Sequence, residues 1–327
     1  MKNTYLYYFL VLIGLVTLSS CEEEEYAIPT LKQELQNDVI KRTLGPNLVG
    51  MNIEFAYAMA LPKSMGKLVS AEVEATIAGG EATYLENRSF YTNGSGEDVG
   101  IEVGSKSVNN GGKTTVTFTK DTSAATLRYY YRIPGTARGK EVSFKFSAQA
   151  SNGQSVTYSM GPYKIAEMDM VLDLDVVDST KAYISIEDMA VYSAAEAAAN
   201  ASKIDLVYLY RSIPNITFSH GLVSPSAKTY LPGVILPAGA TRSSKVQKVW
   251  GLRDFHLARL QFGVYIDDLD FQQLNISSAP DYAVNMRAEA GVWVETQDGK
   301  YRAYVYVNSV NNNAKSAKIS IKRYQMK

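Results

Sequence analysis

Side chains able to do acid–base or metal chemistry are few in this chain and thinly spread. His220 and His256 are its only histidines, which excludes a multi-histidine metal centre. Ser224 and Ser226 lie just after His220, and Asp254 lies just before His256, but neither grouping is an ordered nucleophile, base and acid. No Gly-x-Ser-x-Gly elbow and no His-Glu-x-x-His helix occurs. Asp267, Asp268 and Asp270 form the densest local set of carboxylates. Oxygen ligands of this kind suit a hard cation such as calcium, yet they lack EF-hand spacing, and an exposed turn is the plainer role. Gly94-Ser95-Gly96 and Gly111-Gly112 have no Gly-Lys-Ser/Thr and no strong helix after them, so they imply turns and no nucleotide cofactor. Catalysis is assigned to no residue, and a hydrolase ranks third among the readings below.

Aromatic surface is the better route to function. A sugar ring offers its axial hydrogens to an aromatic face while its hydroxyls bond to amides and carboxylates at the rim. Trp250, Trp293, Tyr91 and Tyr230 are the candidates. Each tryptophan has apolar neighbours and could equally belong to a core, whereas Tyr91 and Tyr230 lie beside turn or loop residues.

The chain that must position these residues has 327 residues, and about 150 residues per domain suggests two. Its 33 basic and 33 acidic residues cancel, so there is no basic excess of the kind that collects nucleic acid. A hydrophobic content of 46% is enough for packed cores and excludes a disordered polyelectrolyte. The single cysteine, Cys21, excludes an internal disulfide.

Residues 47–163 read as short strands and turns. Ile53, Phe55 and Tyr57 alternate, Leu68 to Ile77 alternates again, and Val142, Phe144 and Phe146 face away from Ser143, Lys145 and Ser147. Asn152-Gly153 is a hairpin turn, because this pair readily adopts positive φ. A sheet with one apolar face needs a second layer to cover it. Gly161-Pro162 suggests a break, and residues 164–327 form a second domain. There Met168, Met170, Leu172, Leu174 and Val176 share one strand face, opposite Asp169, Asp173 and Asp175. Ser193 and Glu196 make a capping box ahead of an alanine-rich helix. The stretch from Arg211 to Thr241, broken by prolines yet carrying apolar anchors, predicts a folded-down flap. Beyond it come a helix or extended element over 245–257 and strands over 258–265, 288–295, 301–307 and 317–324. Thr30 and Gln33, with Leu31, Leu35, Val39 and Ile40 at helical spacing, predict a short helix or linker within 21–46. The fold class is thus all-β, with two immunoglobulin-like β-sandwich domains, the second bearing short helical insertions and a long loop.

The first residues read as an address. After Lys2, the apolar run from Tyr5 to Leu18 is too short for a spanning helix and suits an export signal over 1–20. Leu18-Ser19-Ser20-Cys21 resembles a bacterial lipobox, which implies cleavage before Cys21, acylation of its thiol and anchorage to a lipid bilayer. Glu22 to Glu25 resembles the surface-export signal behind the lipidated cysteine of Bacteroidota lipoproteins. Together with the strand pair over 126–159 and the unit over 193–210, the lipobox makes the chain similar to a Bacteroidota lipoprotein family of unknown function with tandem immunoglobulin-like domains. It more loosely resembles SusE- and SusF-type glycan-binding lipoproteins. These resemblances imply an outer-membrane, lipid-anchored protein, facing the cell surface or alternatively the periplasm. The expected function is non-catalytic binding of a glycan or other extracellular polymer through loops of the second domain. The alternative is a structural or adhesive component, or an accessory subunit of an outer-membrane complex, whose partner is a surface protein. No cofactor is expected, calcium at the aspartate cluster being the one cation weighed.

Overall fold

Alternating apolar residues build the first body, in a computed structural model that describes residues 32–213 and 216–326 of the chain. The export signal, Cys21 and the glutamate run lie outside the described residues. One sheet orders β1 (Gln36–Lys41), β2 (Asn52–Ala60), β9 (Ala124–Arg132) and β4 (Tyr84–Leu85). The facing sheet orders β11 (Ser155–Lys164), β10 (Glu141–Ala150), β3 (Leu68–Ala75), β8 (Lys113–Thr117) and β7 (Val108–Asn110). Between them the inward residues Phe55, Tyr57, Tyr129, Tyr131, Phe144 and Phe146 are fully buried, with tilted and edge-on ring pairs 4.9–6.5 Å apart. Tyr130 takes the opposite face and stacks on Tyr84 at 4.7 Å. A separate hairpin of β5 (Arg88–Thr92) and β6 (Asp98–Glu102) lies beside β9.

Two expectations for this body are corrected. Residues 36–41 form a strand where a short helix or linker was expected, because Val39 enters the core and the backbone pairs in register with β2, Gln36 opposite Ala60 through Lys41 opposite Phe55. Leu35 also belongs to this core. Gly161-Pro162 does not end an element but lies inside β11, where Gly161 has a φ of +104°.

The second body is one long sheet. Its order is β17 (Lys245–Trp250), β19 (Ala290–Glu295), β20 (Tyr301–Asn311), β21 (Ser316–Gln325), β12 (Asp169–Val177), β13 (Lys181–Ser185), β15 (Leu206–Ile213), β16 (Ile216–Val223) and β18 (Tyr282–Met286), with β14 (Ala190–Ser193) beside β13. The sheet curls until its end strands β17 and β18 meet. Across that seam Lys248 donates to the carbonyls of Val284 and Asn285 at 2.7 and 3.0 Å, and Val246 N–H donates to Pro280 O at 2.7 Å. The curled sheet encloses Val176, Ile184, Leu206, Val292, Val305 and Ile321. The all-β expectation holds, with the first body a two-sheet sandwich and the second this curled, barrel-like form.

Its register also departs from the simple alternation. The pairing of β12 with β21 shifts between Val171 and Leu174, and Asp173 sits at φ +58°. A bulge exchanges the two faces of a strand. Met168, Met170 and Leu172 therefore pack outside the curled sheet, while Leu174 and Val176 pack with its interior. Helix α1 (Ala194–Ala199) begins at the expected capping box. Of the region 245–265, β17 takes the start and α2 (Phe255–Ala258) the middle; the strand expected over 258–265 is absent, with only a bridge from Val264 to Asp254. Helix α3 (Asp268–Gln273) follows.

Candidate functional site

Of the four aromatic candidates, only Tyr91 lines an open groove described here. The groove has a volume of about 440 Å³ and lies on the outer face of the first sheet. Its floor is low because that face of β2 and β9 presents Ala58, Ala60 and Ala124. Alanine is depleted in strands and contributes little cross-strand packing, so its repeated use here leaves room above the sheet. One wall is β1, with Gln36, Asn37 and Asp38; the other is the β5–β6 hairpin, with Ser89, Phe90 and Tyr91.

The hairpin is held down by its own chemistry. Ser89 Oγ accepts from Thr126 N–H at 3.0 Å, Asp98 pairs with Arg128, and the Arg128 guanidinium lies 4.0 Å from the centroid of the Phe90 ring. The Arg128 hydrogen bond holds the Asp98 carboxyl below the usual carboxylate range. Tyr91 itself is 51% exposed. Asp38 accepts from Val39 N–H at 2.8 Å and Gln36 Nε2 donates to Leu35 O at 3.1 Å on the outer face of the edge strand, whereas Asn37 turns to the inner face and donates to Tyr57 Oη at 3.2 Å. The result is a ring on one wall and amide and carboxylate groups on the other.

The other aromatic candidates have intramolecular roles. Trp293 is buried, in contact with Phe271 at 5.5 Å and Tyr304 at 4.8 Å, and is therefore a core residue. Tyr230 spends one face on Tyr282, the rings 3.5 Å apart and inclined by 16°. Trp250 is 54% exposed at the end of β17, its ring 4.4 Å from the Lys248 ammonium, and it lines none of the cavities described here.

Part of the stretch read as a flap is strand β16, and the remainder folds down. Leu231 and Ala240 are buried, Tyr183 Oη donates to Ile235 O at 2.9 Å, and Arg211 Nε donates to Pro232 O at 2.9 Å. A cavity of about 430 Å³ lies beneath, lined by Ala182, Tyr183, Ala198, Val207 and Leu236 among others.

The aspartates are structural. Asp267 caps α3 by accepting from Leu269 and Asp270 N–H, Asp270 accepts from Asp267 N–H at 2.8 Å, and Asp268 accepts from Glu167 and Met168 N–H at 2.8 and 3.0 Å. Their carboxylates point to separate backbone donors, and among the described residues no group of three or more His, Cys, Asp and Glu side chains is arranged to hold a metal. Asp268 thereby ties α3 to the segment joining the two bodies, a role that only tertiary structure reveals.

Neither histidine meets the neighbours suggested by sequence. Ser224 donates to Arg242 O and Ser226 to Asp281, while buried His220 contacts Tyr208 Oη at 2.6 Å and Asn312 Oδ1 at 2.8 Å. Burial pushes its pKa down. Asp254 is engaged by Leu257 N–H, Ile266 N–H and Lys322 Nζ, so it forms no dyad with His256. No helix among the described residues is long and apolar enough to cross a membrane.

Comparison with known proteins follows the two bodies. The domain of unknown function DUF4466 matches residues 32–165, and the domain of unknown function DUF8576 matches 166–326. A crystal structure of a DUF4466 family protein from Parabacteroides merdae is 49% identical, covering 90% of this chain and 99% of its own, with a TM-score of 0.84. A major pilin fragment of Streptococcus agalactiae is 11% identical over 58% of this chain and 76% of its own, with a TM-score of 0.30. The major pilin subunit of Bacillus cereus is 9% identical over 86% and 62%, with a TM-score of 0.28, and neither pilin likeness carries an argument. No curated protein matches the chain. These findings support the expected Bacteroidota family of unknown function and add nothing to the looser likeness to SusE and SusF. At 49% identity over nearly the whole of a solved relative, this chain belongs to the DUF4466 family.

Proposed function

We propose that this protein is an exported, lipid-anchored and non-catalytic module that binds a glycan chain in the groove between β1 and the β5–β6 hairpin. The observation that carries this reading is exposed Tyr91 facing across an alanine floor to Gln36 and Asp38. Stacking on the ring and hydrogen bonding at the rim are the two interactions a sugar needs, and an open groove admits the interior of a polymer as readily as its end. The lipobox residues up to Cys21 support the address, since acyl chains on that cysteine would hold the groove close to an outer-membrane surface. The site moves from the second domain's loops, where the sequence suggested it, to the first domain, because Tyr230 is stacked internally and the flap is latched.

An array of purified polysaccharides tests the reading. Binding of the protein to at least one glycan, competed by the soluble form of that glycan, is expected; failure of folded protein to bind any of them would overturn it. Intact-mass analysis of the native protein, expected to find an acylated Cys21 as the first residue, tests the address.

A further inference from the structure

Strand register fixes which charges the groove of the first body presents. On the outer face, Gln36 lies opposite Ala60, which lies opposite Ala124, and Asp38 lies opposite Ala58, which lies opposite Thr126. Each polar side chain of β1 therefore stands beside an alanine with nothing tall next to it, and the two are about 7 Å apart along the strand. Asp38 is the one charged residue among those that line the groove. It is exposed, its Oδ1 accepts from Val39 N–H at 2.8 Å, and it enters none of the ion pairs among the described residues.

The neighbouring cations are engaged elsewhere. Arg128, two residues beyond Thr126 on the same face of β9, pairs with Asp98 and lies over the Phe90 ring. Lys41 turns to the inner side, its ammonium 5.6 Å from the centroid of the Tyr163 ring in the facing sheet. An anionic ligand laid along the groove thus meets a carboxylate and no cation among the lining residues. At a partly solvated surface, repulsion between like charges a few ångströms apart amounts to about tenfold in affinity. A carboxylate also has acceptors only, which suits the hydroxyls of an uncharged sugar, whereas a uronate or a sulfate offers it further acceptors. The 33 basic and 33 acidic residues of the chain balance, so no field of the whole molecule repels a polyanion and the discrimination is local.

We infer that the groove takes uncharged glycans and turns away those bearing uronic acids or sulfates, with Asp38 as the residue that decides between them. This inference rests on the glycan reading and names the class of glycan within it.

The test offers the protein each neutral polysaccharide of the array, soluble starch, a β-1,3-glucan and a galactomannan among them, beside its C6-oxidised form, in which primary hydroxyls have become carboxylates. Polygalacturonate and dextran sulfate complete the panel. In about 10 mM salt the neutral form of a bound polymer is expected to bind about tenfold tighter than its oxidised form, and in about 1 M salt the gap should shrink to about twofold, because the screening length falls from about 30 Å to about 3 Å. Asp38→Asn keeps an acceptor for Val39 N–H and should shrink the gap likewise at low salt, whereas Asp175→Asn, at an exposed carboxylate of the second body, should leave it in place. Equal binding of the two forms by the unaltered protein, tighter binding of polygalacturonate or dextran sulfate, or a gap that Asp38→Asn does not move would overturn this inference and leave the glycan reading standing. Failure to bind any polysaccharide would overturn both. The comparison of two forms of one polymer needs no variant, so it stands even where Asp38→Asn fails to fold.

Discussion

Replacing Lys322 by methionine is expected to destabilise the second body severely. The Lys322 and Asp254 side chains are both fully buried, 2.6 Å apart. Lys322 also donates to Ile266 O at 2.8 Å, and Asp254 accepts from Leu257 and Ile266 N–H at 2.9 and 2.8 Å. Without the ammonium, a carboxylate is left buried with two neutral donors. Removing one partner of such a pair costs about 3–5 kcal/mol, whereas replacing both charges by neutral groups is often close to neutral. Lys322→Met and Asp254→Asn should therefore each lose about that much, and the double variant should lose clearly less than their sum, a coupling of about 2 kcal/mol or more. Urea unfolding followed by tryptophan fluorescence reads the effect where it occurs, because both tryptophans, Trp250 and Trp293, are in the second body. Burial also lowers the Lys322 pKa below its usual 10.5. Between that lowered value and 10.5 the unfolded chain keeps a proton that the folded chain has released, so the unaltered protein gains stability with rising pH relative to Lys322→Met. An unchanged midpoint in Lys322→Met, or strictly additive losses in the double variant, would refute the reasoning.

Acid should act through His256. Its folded pKa of about 4 lies below the usual 6.5, so as pH falls from 6.5 towards 4 the unfolded chain takes up a proton that the folded chain refuses. Up to about 3 kcal/mol of stability is lost across that window relative to His256→Gln. Asp254 and Lys322 act on the ring and Arg42 lines a cavity with it in both proteins, so the difference between the two pH profiles of urea midpoints isolates the imidazole, and parallel profiles would contradict it. Asp268→Ala should cost about 2–4 kcal/mol by releasing two backbone donors, and should speed hydrogen exchange at the Glu167 and Met168 amides specifically. Unchanged exchange at those two amides would remove its role at the junction.

Much of the fold is written in period-two alternation. Ile53-Phe55-Tyr57 and Val142-Phe144-Phe146 enter the core as spaced, and Asn152-Gly153 and Asp298-Gly299 each join consecutive strands. The failures have local causes. β1 is an edge strand whose outer face mixes Gln36, Asp38 and Ile40, so the spacing of its apolar residues also fits a helix. The face exchange at Asp173 depends on one bulged residue, which alternation cannot announce. Asp267, Asp268 and Asp270 look alike in sequence, but two cap α3 and the third reaches residues about a hundred positions earlier. In the groove, Tyr91 was legible from the turn beside it. The alanine floor gave no signal, because it becomes a site only when the β5–β6 hairpin comes down beside it.

The sharpest test compares Tyr91→Ala with Trp250→Ala on whichever polysaccharide the protein binds. Both rings are about half exposed, at 51% and 54%, but only Tyr91 lines the groove. Loss of the stacking ring should weaken binding about tenfold, the scale of one aromatic contact, while Trp250→Ala leaves it unchanged. Binding that survives Tyr91→Ala and disappears with Trp250→Ala would contradict the assignment of the groove.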